Sequence, residues 1–396
     1  MGVMEQQNPH GRGADAVLNL QPNSSISIAY HSLFGPHDDL VLLEVDEKLL
    51  EEVLHQRVSI RGQPEEDAVF CTKSKTYGIK YVGTSNSVLL IPPSGRSEYY
   101  KNELDSHQTD NSKEVAPVIK VAPGIMELHE IAPRIDKLKL LLSEEPYSFA
   151  DEWENEAADK YEKRMYSWDD LINKVQASDD ELKAGLQALS AVEIDGYWRI
   201  VDEKYMDSML QMLLHNRILN DWSLDALDED VIMKVMKMDG FPEKLVQHCL
   251  HVYGDKLDGN EGKSCLWRLD EKRVCVHFAR EVLRKGKMKL EHLMDEWRQK
   301  IPLGMCANFD MLEGEVLTER LGVETWVRGF RVCQLPSNPA ERFTILFKER
   351  PKWEWKDLQP YIRDLTVPGL SSEGLLLKYT RRTQPNPEAE AVFSAR

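Results

Sequence analysis

Trp198-Arg199-Ile200-Val201-Asp202-Glu203-Lys204 returns further along the chain as Trp267-Arg268-Leu269-Asp270-Glu271-Lys272, and this near-repeat decides the reading of the fold. Apolar residues at helical spacing (Trp168, Leu171, Ile172, Val175) precede its first copy, followed by Ser178, a good N-cap, and Leu182, Leu186 and Leu189. Two short helices are expected there. Val192-Glu193-Ile194 and Tyr197 to Val201 flank Asp195-Gly196, a dipeptide suited to a two-residue hairpin turn, and a helix from about Tyr205 to His215 closes the unit. Around the second copy, the spacing predicts helices over Val231–Met238 and Pro242–Tyr253, a loop at Asp258–Gly262 and a strand over Cys265–Leu269, with Asp270 capping the next helix. A third, more divergent copy is expected from Leu290 to Phe347, with a helix to Ile301, a short one near Asp310, strands around Phe330–Cys333 and Arg342–Phe347, and a closing helix after Pro351. Two helices followed by a hairpin describe a winged helix. The C-terminal part therefore reads as three of them, at 167–218, 219–286 and 287–365, packed as a rigid arm because units of this size are marginal alone.

Working outward, residues 25–131 look different, with short β-rich runs at Ile26–Tyr30, Val41–Val45, Val58–Ile60, Ala68–Cys71, Thr76–Val82 and Val88–Ile91, and one helix at Glu47–His55. Val118–Val121 and Met126–Ile131 extend the set. The fold class is thus α+β: a flexible tail at 1–15, a mostly β, barrel-like domain at 16–132, a helical connector at 133–166, the winged-helix array, and a basic C-terminal tail at 366–396. Several strands are apolar on successive residues, which calls for burial on both faces, and a domain this short is expected to need a partner subunit to complete its barrel. Residues 94–114 are polar and charged and read as a loop.

The composition, 42% apolar and 30% charged over 396 residues, is that of a globular protein with room for several domains. No run approaches the roughly 18 apolar residues of a membrane span, so no membrane is expected and the protein is read as intracellular. Six widely spread cysteines without a C-x-x-C pair read as reduced thiols. The net charge of −17 is unevenly placed: residues 1–271 carry 28 Lys and Arg against 50 Asp and Glu, residues 272–364 carry 18 against 14, and residues 365–396 carry 4 against 3. A phosphate backbone is least repelled by the last part.

The run from Asp67 through Cys71, Tyr77-Gly78-Ile79-Lys80-Tyr81-Val82 and on to Pro92 closely resembles the N-terminal signature of the Dcc family of sister chromatid cohesion proteins. Glu127-Leu128 with Pro133–Leu142, then Arg342–Phe347, Trp353–Asp364 and Leu375–Tyr379, resemble further blocks of that family. The resemblance implies a non-catalytic subunit of the alternative, cohesion-specific replication factor C in the nucleus. It would join a very small subunit and the large ATPase subunit through a composite β-barrel. Its arm would reach the catalytic subunit of DNA polymerase epsilon chiefly with the first module, meet DNA with the last modules, and serve the sliding clamp indirectly.

Other motifs are weighed against this. Leu257-Asp-Gly-Asn-Glu-Gly-Lys-Ser264 ends like a P-loop, but it lacks the first Gly and sits between helix and strand, so it reads as a wing loop. His248 and His251 share a helix face without an obvious third ligand, so no metal and no cofactor are expected. Met206, Met209 and Met212 form an apolar band suited to core packing, with an adaptable partner contact as the alternative. In the tail, Leu375–Tyr379 would anchor Lys378, Arg381 and Arg382 for phosphate contact, with Arg328, Arg331, Lys348, Arg350, Lys352 and Arg363 as further candidates. The competing functional classes are a winged-helix DNA-binding transcriptional regulator, disfavoured by the acidic first two modules, and a hydrolase using the histidines.

Overall fold

The computed structural model describes residues 27–30, 40–91, 115–153, 164–257, 265–384 and 390–396. The expected flexible tail 1–15, the polar loop 94–114, acidic residues 154–163 of the connector and the P-loop-like run from 258 lie outside them. The chain divides into two compact units, one formed from residues 1–57 and 77–129, the other from 58–76 and 130–396.

In the first unit, β1 (Ser27–Tyr30) lies parallel to β6 (Val115–Val118), and β2 (Leu43–Glu44) lies parallel to β7 (Lys120–Glu130). Between β2 and the rest comes α1 (Glu47–His55), the helix expected there. The two runs read as Thr76–Val82 and Val88–Ile91 are one long strand, β5 (Thr76–Leu90), paired beside β7. Gly124 makes that approach possible, because a Cβ there would stand 2.5 Å from the Val82 carbonyl oxygen and 2.6 Å from the Tyr81 ring. Among the described residues of this unit, the fully buried large apolar side chains are Leu49 and Val118, whereas Leu40, Val41, Leu43, Leu50, Leu54 and Tyr81 are exposed.

The second unit begins with β3 (Ser59–Arg61) and β4 (Val69–Cys71), an antiparallel pair. Then follow α2 (Asp136–Glu144), α3 (Phe149–Trp153), β8 (Tyr166–Ser167), α4 (Trp168–Lys174), α5 (Asp179–Ala188), β9 (Val192–Ile194), β10 (Tyr197–Arg199) and α6 (Glu203–Leu219). Next come β11 (Leu227–Asp228), α7 (Glu229–Met238), α8 (Glu243–Tyr253), β12 (Gly254–Leu257), β13 (Leu266–Leu269) and α9 (Glu271–Leu283). The third group is β14 (Met288–Lys289), α10 (Leu290–Lys300), a 3-10 turn Phe309–Leu312, β15 (Val316–Leu321) and β16 (Glu324–Gly329), followed by α11 (Pro339–Glu349). The last is β17 (Lys352–Glu354), α12 (Trp355–Leu358), α13 (Ser372–Tyr379), β18 (Thr380–Thr383) and β19 (Val392–Ala395).

These strands make four three-stranded sheets of one design, β8-β10-β9, β11-β13-β12, β14-β16-β15 and β17-β19-β18. Three units are expected from the sequence; among the described residues there are four. The residues read as a basic tail, 366–396, supply α13 and the hairpin β18–β19 of the fourth, and the helix expected after Pro351 is present as α12 but follows β17 and belongs to the fourth unit rather than closing the third. The strands expected at Phe330–Cys333 and Arg342–Phe347 also move. The third hairpin is β15–β16, turned through Gly322 at φ +67°, while Arg342–Phe347 is helical within α11. Local chemistry explains the second correction: Pro339 sits in the first turn, the Asn338 side chain accepts from Ala340 and Glu341 N–H, and Phe343 and Leu346 fall on one helical face.

The four units share a frame. The first-strand residues Tyr166, Leu227, Met288 and Trp353 are buried, and so are the residues five places on (Leu171, Ile232, Leu293, Leu358) and nine places on (Val175, Met236, Trp297, Ile362). Opposite each first-strand residue, on the central strand, stands Trp198, Trp267, Val327 or Phe393. The near-repeat is therefore the central strand of one unit running into the N-cap of the next unit's first helix: Asp202 accepts from Lys204 and Tyr205 N–H, and Asp270 from Arg273 N–H. Units two and three share one continuous core that runs through α6 and α9, and Met206 and Met209 lie within it. The first and fourth units each have a core of their own.

Candidate nucleic-acid interface

The fourth unit is built around Trp353, fully buried with its Nε1–H donating to the Leu346 carbonyl at 3.0 Å. Ser371 caps α13 by accepting from Gly374 N–H, and Leu375 and Tyr379 seat the helix, the Tyr379 ring stacked 5.1 Å from Phe343. Leu377 and Lys378 are left outward. The chain then enters β18, where register places Arg381 opposite Ser394 and Ser394 opposite Lys352. Trp353 and Phe393, one place along, are buried, so alternation puts Lys352 and Arg381 together on the outer face of the sheet. Arg382 is exposed on the edge strand and donates to Gln384 Oε1 at 3.1 Å. Arg396 donates to the Leu377 carbonyl at 2.8 Å, which brings a fifth cation beside Lys378, whose Nζ is 5.3 Å from the Tyr379 ring centroid. Among the described residues, none of Lys352, Lys378, Arg381, Arg382 and Arg396 sits within ion-pair distance of a carboxylate. Lys356, by contrast, is held by Glu354 at 2.9 Å, and that contact keeps the Glu354 carboxyl below its usual range.

The remaining sequence candidates are placed differently. Arg331 is 16% exposed and ion-paired to Glu203 at 2.8 Å, joining the end of the third unit to the start of α6. Arg350 pairs with Asp357 at 2.7 Å and donates to the Thr318 carbonyl at 2.6 Å, which ties α11 to β15. Arg328 pairs with Glu349 and lies over the Phe330 ring. These three are committed to holding units together. Arg363 is exposed and 3.6 Å from Glu313, and Lys348 is exposed on α11. The structure thus gathers Lys352 and Arg381 on one sheet face, with Lys378 and Arg396 near its end, while Arg382, opposite Phe393, alternates to the other face of the edge strand. Reasoning from the sequence missed Arg396 because its link to the others is the antiparallel return of β19, not proximity along the chain.

The histidines considered as ligands are engaged in packing. His251 Nδ1 is 2.8 Å from the Gln247 carbonyl and its ring lies against Trp267, while burial, with the charge of His251 adding, pushes His248 down to about 4. A charged network that the sequence did not reveal lies on α6, α8 and α9. His277 stands 2.7 Å from Asp207 Oδ1 through Nε2 and 2.7 Å from the Tyr253 hydroxyl through Nδ1, and Arg284 reaches both Asp207 and Glu203. Burial alone would raise the carboxyls of Asp207 and Glu203. Their contacts, His277 and Arg284 for the first and Arg331 and Arg284 for the second, outweigh it and hold both low. A cavity of about 200 Å³ beside this network is lined by Ser190, Glu203, His248, Tyr253, Arg280 and Arg284, and both arginines are already paired, Arg280 with Glu315 at 2.6 Å.

Comparison with known proteins comes to the same region of protein space as the sequence blocks. A family model described as sister chromatid cohesion protein Dcc1 matches residues 40–362. The chain is 32% identical over 384 residues to the human protein named sister chromatid cohesion protein DCC1, covering 94% of this chain and 95% of that one. Zebrafish and mouse proteins of the same name are each 32% identical, over 373 and 350 residues, covering 93% and 88% of this chain and 92% and 85% of theirs.

Proposed function

Because the chain belongs to the Dcc1 family of sister chromatid cohesion proteins, we propose that it is a nuclear scaffold subunit of the alternative replication factor C, with no catalytic step of its own. Its four three-stranded units are winged helices, used as an arm that links the clamp loader to DNA polymerase epsilon and to DNA. The first unit takes the polymerase, the last takes DNA, and clamp loading or unloading at the fork, and through it cohesion, is what the arm serves. The N-terminal β unit is completed by the large ATPase subunit and the very small subunit, a reading supported by how few of its apolar side chains are enclosed.

The observation that carries the DNA end of this reading is the row Lys352–Ser394–Arg381 with Lys378 and Arg396 near it and Arg382 on the other face of the edge strand, all without carboxylate partners among the described residues. Each phosphate such a cation neutralises contributes about 0.9 to the slope of log affinity against log salt for duplex DNA. The test is a salt titration of duplex binding by the full chain. Arg381→Glu with Lys352→Glu is expected to remove about two units of slope and affinity on any sequence, whereas Arg331→Glu leaves the slope unchanged. An unchanged slope in the double variant would remove the DNA role. Recovery of clamp-loader subunits with the purified full chain tests the assembly role separately, and their absence would remove that.

A further inference from the structure

Because the four units share a frame, a surface position in one can be compared with the same position in another. On the second helix, the places four, eight and eleven residues after the buried first-strand residue can be compared between units, although they do not face outward in all of them: Ala177 in the first and Tyr361 in the fourth are buried. In the first unit the first two are Asp170 and Lys174, and in the third they are His292, Glu296 and Gln299. Those are ordinary solvated choices, and Glu296 is ion-paired. In the second unit the same places hold Val231, Val235 and Met238, with Val231 41% and Met238 87% exposed. The inward positions Ile232 and Met236 are buried as in the other units, so the fold does not require an apolar outer face here.

Apolar exposure does not end with α7. Asn216, near the C-terminus of α6, donates through Nδ2 to Asp239 Oδ2 at 2.6 Å and clasps the end of α7. Leu219, three residues beyond Asn216 and so on the same side of α6, is 67% exposed, and Ile218 is 66% exposed. Val231, Val235 and Met238 thus make one apolar track along α7, and Ile218 and Leu219 expose further apolar surface at the end of α6, which Asn216 ties to the end of α7. The chain around it is acidic: Asp230 precedes Val231 on α7, Asp221 and Asp225 lie in the connection from α6 to β11, and all three are exposed without an ion pair among the described residues. Of the nearby lysines, Lys237 is neutralised by Glu243 at 2.7 Å, which leaves Lys234.

We infer that this track on the second unit is a docking surface for a basic amphipathic helix of a protein partner. Leucine-like side chains at i, i+3/i+4 and i+7 would lie on Val231, Val235 and Met238, the pliant thioether of Met238 adapting to their shape, and lysines or arginines flanking them would meet Asp221, Asp225 and Asp230. Charge complementarity fixes the kind of occupant: the three carboxylates repel nucleic acid and an acidic helix alike. The site is separate from the cationic row of the fourth unit and uses none of its residues.

The test uses the full chain and a fluorescein-labelled helix of about 18 residues, five turns, made of leucine and lysine in amphipathic order, beside the same peptide with glutamate for lysine. Binding is read by anisotropy. Saturable binding of the lysine peptide alone is expected. Replacing the stripe with the residues the third unit uses (Val231→His with Met238→Gln) should weaken it about tenfold, and Asp225→Lys with Asp230→Lys should weaken it about as much and flatten its salt dependence. Both variants change exposed positions, and the third unit carries His292 and Gln299 at the places of Val231 and Met238, so thermal melts should match wild type, and duplex DNA binding should be unchanged. Equal affinity for wild type and the stripe variant, equal binding of the glutamate peptide, no saturable binding, or a wild-type dimer that the stripe variant dissolves would each overturn the inference.

Discussion

The shared core of the second and third three-stranded units and the N-terminal β unit solve the burial problem in opposite ways. In the former, Trp267, Trp297, Met209, Leu250, Phe278 and Val327 are enclosed in one continuous cluster spanning both units, through the helices α6 and α9 that each end one unit and begin the next. In the N-terminal unit, β5 runs for 15 residues, and beyond its first residue none of its side chains is fully buried. A long strand with half-buried faces gains hydrogen bonds but little of the roughly 25 cal/mol per Å² that apolar burial supplies. The repeat array encloses a continuous core, whereas the β unit leaves Leu40, Val41, Leu43, Leu50, Leu54 and Tyr81 exposed.

That contrast can be broken by experiment. The largest effect should come from Trp297→Ala, which empties a fully buried site and removes the bond from Trp297 Nε1 to the Cys275 carbonyl at 2.7 Å; a loss of about 3–5 kcal/mol is expected in denaturant melts of the full chain. Next is Arg342→Met in the fourth unit. The guanidinium, 3% exposed, donates to the Pro336 and Tyr361 carbonyls and to Asp364, and removing it should cost about 2–3 kcal/mol, read in the same melts. Acid should act through the network beside the shared core. The Asp207 and Glu203 carboxyls are lower in the folded state than in the unfolded one, so their contribution is fully present above about pH 4 and is lost as pH falls through their depressed folded values. Melts between neutral pH and that range should show this slope, and Asp207→Asn should flatten it. The smallest effect belongs to the N-terminal unit: Leu54→Ser, at an exposed site, should move the melt of the full chain by less than about 0.5 kcal/mol. A cost of several kcal/mol there would show the β unit to be enclosed after all.

The first two units were legible because their turn and cap chemistry is local. Asp195 and Gly196 both take positive φ, as an Asp-Gly hairpin demands, and Ser178 closes a capping box with Glu181. The third unit carries a comparable signal. Gly322-Val323 links β15 to β16 as a two-residue turn, with Gly at the position that needs φ +67°. The fourth unit was read as a tail because its central strand lies at the far C-terminus, separated from β18 by residues 384–391, and carries Phe393 where the repeat has Trp. Volume and hydrophobicity are what that position needs, and Trp267, Val327 and Phe393 all supply them, so identity there decays faster than structure. Of the candidate cations, sequence could count charges but not carboxylates near them; Arg331 and Glu203 are far apart along the chain and adjacent in space.

By itself the sequence determined the α+β class, the β-rich N-terminal part and the helix–helix–hairpin rhythm, because periodicity, caps and turn residues act within a few residues of themselves. It also determined the family, through blocks that extend over most of the chain. Only the tertiary structure decided that the units number four, that Lys352 and Arg381 share a sheet face, that Arg328, Arg331 and Arg350 serve as struts, and that α7 leaves an apolar track outward. Each of these depends on which distant residues meet, and pairing across sheets and between units is set by packing of the whole.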